Sequence, residues 1–372
     1  MKQSATLGGA VCIACAAAAH DAQAGGIELT PQSINVIYED GNYAEVGFQH
    51  LFFSANGTDI VGNRTGNIAN DITLGFFNVK FDVTEKLAFA LAVDQPFGLD
   101  TRYAVGASIL GGTTADVDTI AYTGVLRYKI TENWSVHGGV RAQTIKADAR
   151  LGGAAFGPIN GYGVSLRSET SFGYVVGGAF EIPELALRVA LNYNSAVSYD
   201  GRLTETLPAF LGGGSATNIA PFRLPQSVNL DFQTGVSPTT LVFGQVRWVD
   251  WTDFSINPAV FSGTLNTPLA DFPKDVLTYT LGAAHQLNEN WSVFGVLAYE
   301  DERVTLASPL GPSDGYYLAG LGAQYDTDTY RICIAASHLW IRPSTAQGAF
   351  GAAANFGDTT AVALDVRVGY KF

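Results

Sequence analysis

From Ala361 to the C-terminus every second residue is apolar. Val362, Leu364, Val366, Val368, Tyr370 and Phe372 alternate with Ala361, Ala363, Asp365, Arg367, Gly369 and Lys371. A period of two belongs to a β-strand with unlike faces. It recurs upstream, where Ile120, Tyr122, Leu126, Tyr128 and Ile130 oppose Thr119, Thr123, Arg127 and Lys129. Trp134, Val136 and Val140 oppose Ser135, His137, Arg141 and Gln143. Between Val164 and Phe180 the apolar series takes in Leu166, Phe172, Tyr174 and Val176, with Arg167 and Glu169 opposite. Leu187, Val189, Leu191 and Tyr193 oppose Arg188, Asn192 and Asn194, and Val228, Leu230 and Phe232 oppose Asn229, Asp231 and Gln233.

Alternation alone fits a soluble sandwich as well as a barrel in lipid. The connections decide between them. Short polar turns fall near 84–86, 131–133, 183–185, 237–239, 288–290 and 327–329. Long Gly-, Pro- and Asn-rich links at 54–69, 99–115, 148–163, 203–223, 254–275, 306–314 and 343–358 separate them. Six short turns and seven long loops join fourteen strands, which places both termini on the short-turn side. That is the plan of a bacterial outer-membrane barrel, whose closure hides every sheet edge from lipid. The expected fold is therefore all-β: a 14-stranded antiparallel transmembrane β-barrel with a short N-terminal plug segment. Charged residues make up only 15% of the chain, against about 25% in soluble domains, and the part after the N-terminus has no apolar run long enough for a membrane helix.

The pentapeptide ENWSV occurs twice, at 132–136 and 289–293, each time between apolar stretches. It reads as a periplasmic turn with a Trp at the inner headgroup layer, where an apolar ring with a polar N–H is best placed.

The N-terminus sets the compartment. Lys2, an Ala-rich apolar stretch from Leu7 to Ala19 and the small-x-small Ala22-Gln23-Ala24 predict a cleaved signal peptide over 1–24. Cys12 and Cys15 leave with it, and the remaining Cys333 has no partner for an intrachain disulfide. Residues 25–42 then form the plug segment and 43–372 the barrel. A net charge of −13 argues against nucleic acid or anionic lipid as partners.

Enzymatic chemistry finds no support. His50, His137, His285 and His338 are scattered one to a strand, and the sequence lacks G-x-S-x-G, a P-loop and metal-spaced His/Cys. No catalytic residue, metal or cofactor is expected. The stretch Leu91–Tyr103, LAVDQPFGLDTRY, is more informative, because Pro96 cannot donate to a β-ladder and predicts a kink or an early strand exit.

Pro96-Phe97-Gly98-Leu99, followed by Thr101 and Tyr103, resembles the P-F-G-L-x-T-x-Y segment of the FadL-type family of outer-membrane transporters. Their substrates are long-chain fatty acids and aromatic hydrocarbons. The closing strand VALDVRVGYKF and the Gly25-Gly26 start agree with it. The resemblance implies passive uptake. A hydrophobic ligand would land in a groove of loops three and four, offered here by Leu151, Phe156, Ile159, Phe210, Leu211 and Phe222. It would pass to a lumen pocket and leave sideways at the kinked third strand, through Asp94, Gln95, Pro96, Phe97 and Gly98. Kinking would leave backbone groups there unpaired. Inward Arg127, Arg141, Arg167, Arg188 and Arg247 could contact a ligand head group by bidentate pairing, or pair with lumen acids instead. The family's plug of roughly forty residues with an N-P-A segment is shortened or rebuilt here: only GGIELTPQSINVIYEDGN, without N-P-A, precedes the first strand. That departure keeps open an alternative, a general diffusion porin for small polar or anionic solutes. Expected partners are the apolar ligand, outer-membrane lipid and lipopolysaccharide, and the barrel-assembly machinery, with the protein a monomer.

Overall fold

The computed structural model describes residues 27–302 and 306–372, so the expected signal peptide lies outside them. The barrel wall begins with β1 (Tyr43–Ser54), β2 (Ile72–Asp82) and β3 (Leu87–Asp94, resuming as Gly98–Arg102). It continues through β4 (Thr114–Lys129), β5 (Trp134–Arg150), β6 (Gly163–Ile182) and β7 (Leu187–Asn194). Next come β8 (Ser227–Ser237), β9 (Thr240–Val249), β10 (Val276–Gln286) and β11 (Trp291–Glu300). β12 (Tyr316–Asp326), β13 (Tyr330–Ile341) and β14 (Thr359–Lys371) complete it. All neighbours are antiparallel, and β14 returns to β1 in register from Tyr43↔Lys371 to Ser54↔Thr360. The fourteen expected strands are all present.

The faces sort as lipid requires. Phe48, Phe172 and Leu321 point outward and stay 60%, 73% and 72% exposed, while Glu45, Gln49, Arg141 and Asp365 are buried inside. Leaving large apolar side chains in water forgoes about 1.5–3 kcal/mol each; a hydrocarbon surrounding removes that loss. The one face assignment that fails is at the top of β6. Ile145 pairs with Glu169 but Ala147 pairs with Leu166, so β6 carries one extra residue there. A one-residue slip exchanges the two faces. Leu166 therefore turns inward and is buried, and Arg167, expected in the lumen, is exposed at the bulge.

The two ENWSV copies do the same structural job. Thr131 Oγ1 accepts from the Trp134 amide (3.0 Å), and Asn288 Oδ1 accepts from the Trp291 amide (3.0 Å). Asn133 Nδ2 then donates to Glu181 O of the next hairpin, as Asn290 Nδ2 does to Asp326 O. The exposed indoles lean on an aromatic ring of the following strand, Phe180 and Tyr325 respectively. Tyr330, Tyr370 and Phe372 extend this aromatic girdle. Tyr279, Tyr299, Tyr317 and Trp340 stand at the long-loop end of the outer face.

The long loops L1 to L7, numbered in chain order, build a cap. Strands Asn56–Asp59 and Arg64–Asn67 of L1 join Ser344–Gly348 and Gly351–Phe356 of L7 in one sheet. In L4 the hairpin Arg202–Leu207/Gly214–Ile219 pairs with the projecting top of β6. L5 contains the helix α1 (Ala259–Leu265).

Candidate functional site

The wall is broken at the predicted kink. β3 pairs with β4 from Leu87↔Tyr128 to Asp94↔Ala121, then resumes at Gly98↔Asp118. Gln95, Pro96 and Phe97 thus oppose only Thr119 and Ile120, a β-bulge. Thr119 Oγ1 fills part of the ladder, accepting from Phe97 N at 2.9 Å and donating to Phe97 O at 2.6 Å. On the other side, β2 stays paired with β3 only as far as Phe77↔Val93. Pairing returns above, at Ala69↔Thr101, with Arg102 N donating to Ile68 O. A window in the wall lies between Ile72–Phe76 and the bulge.

Two backbone groups at the kink, Pro96 O and Gly98 N, are met from inside the barrel. The N-terminal segment runs across the window from inside, with Leu29 N donating to Pro96 O and Gly98 N to Ile27 O, both at 2.8 Å. Thr30 Oγ1 donates to Asp94 Oδ2 at 2.6 Å. The side chain of Leu29 lies so close to Gly98 that a Cβ there would stand 2.4 Å from Leu29 Cδ1. Only glycine admits this approach.

The lumen arginines hold that same segment. Arg247 pairs with Glu28 and donates to Pro31 O. Arg141 donates to Gln32 Oε1 at 2.8 Å and to Asn194 Oδ1 at 3.0 Å. Two guanidinium groups lie over the Tyr38 ring, Arg127 at 4.6 Å and Arg188 at 4.5 Å from its centre, two cation–π contacts on one ring. Arg127 is also paired with Glu181. Four of the five arginines named as possible head-group contacts touch residues 28–38, and Arg167 is outside. Arg331, which alternation did not single out, pairs with Glu39 at 2.8 Å and Asp326 at 3.2 Å.

Above the segment lies an apolar cavity of about 120 Å³, lined by Ile27, Leu99, Ile145, Leu166, Phe222 and Phe272 among others. It abuts a larger groove of about 520 Å³ under the loop cap; Leu310, Leu269 and Phe272 line both. Leu151, Phe156, Ile159 and Phe210 line the groove. Leu211 is buried in the cluster beneath with Phe156 and Ile159. Phe222 lies one level lower, in the cavity wall, stacked on Tyr199 at 5.1 Å.

Loops three and four supply only part of the groove. Phe261 and Leu265 of α1, Leu310 of L6 and Phe350 of L7 supply the rest. Glu205 fixes this arrangement: its carboxylate accepts from Val260 N and Phe261 N (2.9 Å each) and from Tyr162 OH (3.0 Å). Burial, then the Glu205 charge, push the Tyr162 hydroxyl above its ordinary range. Below, Trp251 joins cavity to window. Its ring meets Phe97 of the bulge edge-on at 5.9 Å, Phe254 at 5.5 Å and Phe272 at 4.7 Å. The aromatic density of D-W-T-D-F in a loop was the available sign of L5's role.

Nothing in this arrangement is a nucleophile–base pair. What it can do is shelter an apolar molecule along a path from solvent to the membrane wall. Residues 15–369 match the family model described as outer membrane protein transport protein (OMPP1/FadL/TodX). No curated protein sequence matches the chain. The fold is similar to that of a Pseudomonas aeruginosa FadL homologue (TM-score 0.71, 15% identity, 91% of this chain and 92% of that one). It is also similar to the P. putida toluene transporter TodX (0.64, 12%, 90% and 91%) and the Ralstonia pickettii toluene transporter TbuX (0.63, 12%, 95% and 96%).

Proposed function

The chain belongs to the outer membrane protein transport protein family, OMPP1/FadL/TodX, and from that premise we propose how it moves apolar compounds. It is an outer-membrane channel for such compounds and not an enzyme. In our reading the molecule lands in the loop groove, drops into the apolar cavity and leaves sideways through the window beside β3. The observation that carries this reading is the contiguity of the path: groove and cavity share Leu269, Phe272 and Leu310, and Phe272 reaches the bulge through Trp251 and Phe97. A sideways exit spares the molecule a passage through water.

The cavity's size supports a ring-sized ligand. An apolar cavity of roughly 150 Å³ holds benzene, and 120 Å³ is close to that. A long acyl chain would need the groove as well. Toluene transporters among the structural relatives agree with a monoaromatic substrate. We further read residues 25–42 as the plug that closes the lumen to polar solutes, residues 1–24 as the leader, and the barrel as a monomer inserted by the assembly machinery among lipid and lipopolysaccharide. The pinned segment weighs against a diffusion porin. The test is uptake by cells lacking related channels. Expression should speed entry of an apolar aromatic probe without admitting small polar solutes. Entry of polar solutes at porin-like rates would sink the proposal.

A further inference from the structure

The window is not held shut by the N-terminal segment alone. On the β2 side, the Gly75 N–H points into the gap, past the last rung at Phe77↔Val93 where a β3 carbonyl would otherwise meet it. Instead Gln95 Oε1 accepts from Gly75 N at 3.0 Å. A side-chain amide thus stands in for the strand backbone that the bulge at Pro96 has removed. An N–H without a partner at the edge of hydrocarbon is costly, so this contact draws the two edges of the window together. Inside it, Leu29 packs with Leu51 and Leu74, apolar on the path side. The pair Leu29 and Gln95 forms two layers, one greasy and one a single hydrogen bond.

We propose that Gln95 is the latch of the lateral window: its amide closes the gap at rest and swings away when an apolar molecule displaces Leu29. The proposal rests on the sideways exit inferred above. A backbone rung could not serve in this way, because breaking it would move two strands. A side-chain rung opens by rotation about the Gln95 side-chain bonds and leaves the ladders on both flanks intact. Gln95 is a positioning residue: it sets how readily the window opens, while the cavity sets what is held.

The sign of the effect separates a latch from mere support. Gln95→Met keeps the shape and removes the acceptor; uptake of N-phenyl-1-naphthylamine by cells should become about two- to tenfold faster, the range that one neutral hydrogen bond supplies. Gln95→Glu offers a stronger acceptor and should slow uptake by a similar factor. Quenching of Trp251 fluorescence should give an unchanged probe affinity in both. The variant Gly75→Cys/Gln95→Cys, in a Cys333→Ser background, provides a reversible lock, and a Cβ at Gly75 meets nothing closer than 3.5 Å. Oxidised, it should stop uptake; reduced, it should transport faster than wild type. If the oxidised lock blocks uptake while Gln95→Met and Gln95→Glu both match wild type, Gln95 is no latch, although exit is lateral. If the oxidised lock transports normally, exit is not lateral and both proposals fall.

Discussion

Removing the Glu28 carboxylate is the sharpest perturbation of the closed lumen. Glu28 is 11% exposed and its partner Arg247 only 3% exposed at the side chain, so solvent screens the pair little. Losing one member of a buried ion pair costs about 3–5 kcal/mol, mostly because the other charge is stranded. Arg247 would keep Pro31 O at 3.0 Å and Ser227 Oγ at 3.1 Å, which points to the lower end, about 3 kcal/mol. The Pro31 contact also ties it to the segment. At 1.4 kcal/mol per tenfold, the undocked fraction of the segment should rise roughly a hundredfold in Glu28→Ala. Planar-bilayer recording would show this as frequent small-ion openings absent from wild type. Glu28→Arg with Arg247→Glu restores the pair and should quiet the channel again. A silent Glu28→Ala protein, correctly folded, would refute the reasoning that this pair keeps the segment seated.

Glu205→Gln leaves one acceptor oxygen where two amides and a hydroxyl now converge, a loss of about 1.5–3 kcal/mol in the cap; probe affinity should fall severalfold while the heat-modifiable migration of the barrel is unchanged. Asp59 ties L1 to L2: burial alone would raise its pKa, but hydrogen bonds from Ile109 N, Asn63 and Val61 N outweigh it and hold the carboxyl below its usual 3.8. A depressed folded value means the tie is at full strength above the unfolded pKa and is lost as pH falls through the folded one. The protection factor of the Ile109 amide, its exchange rate referred to the intrinsic rate at each pH, should therefore fall below about pH 4, and Asp59→Asn should abolish that pH dependence. Gly98→Ala places a methyl 2.4 Å from Leu29 Cδ1 and 3.2 Å from Val117 O; it should push Leu29 off the window and raise probe uptake with the barrel intact, and unchanged uptake would show that the contact yields without consequence.

Most of the wall was legible because period-two alternation and loop sorting are read directly from residue order. Val362 to Phe372 needed no tertiary information. The top of β6 did need it: an inserted residue leaves the letters of Leu166 and Arg167 unchanged while exchanging their faces, and only the pairing of Ile145 and Ala147 reveals the slip. The kink at Pro96 was legible because proline's missing N–H is local chemistry. That Ile27, Leu29 and Thr30 would satisfy it was not, since those partners come together only across the lumen. The partners of the lumen arginines were hidden for the same reason. Alternation places Arg141 and Arg247 inside, but it cannot tell a ligand's carboxylate from Gln32 or Glu28. L5's contribution was hidden because loop aromatics such as Trp251 and Phe272 carry no periodicity.

The most direct test of the account is mass spectrometry of small molecules extracted from gently purified protein. An apolar compound at near-stoichiometric level is predicted, and it should disappear from Leu166→Trp, whose indole would fill the cavity. Folded wild-type protein that carries no apolar molecule, or one that the filled variant retains in full, would contradict it.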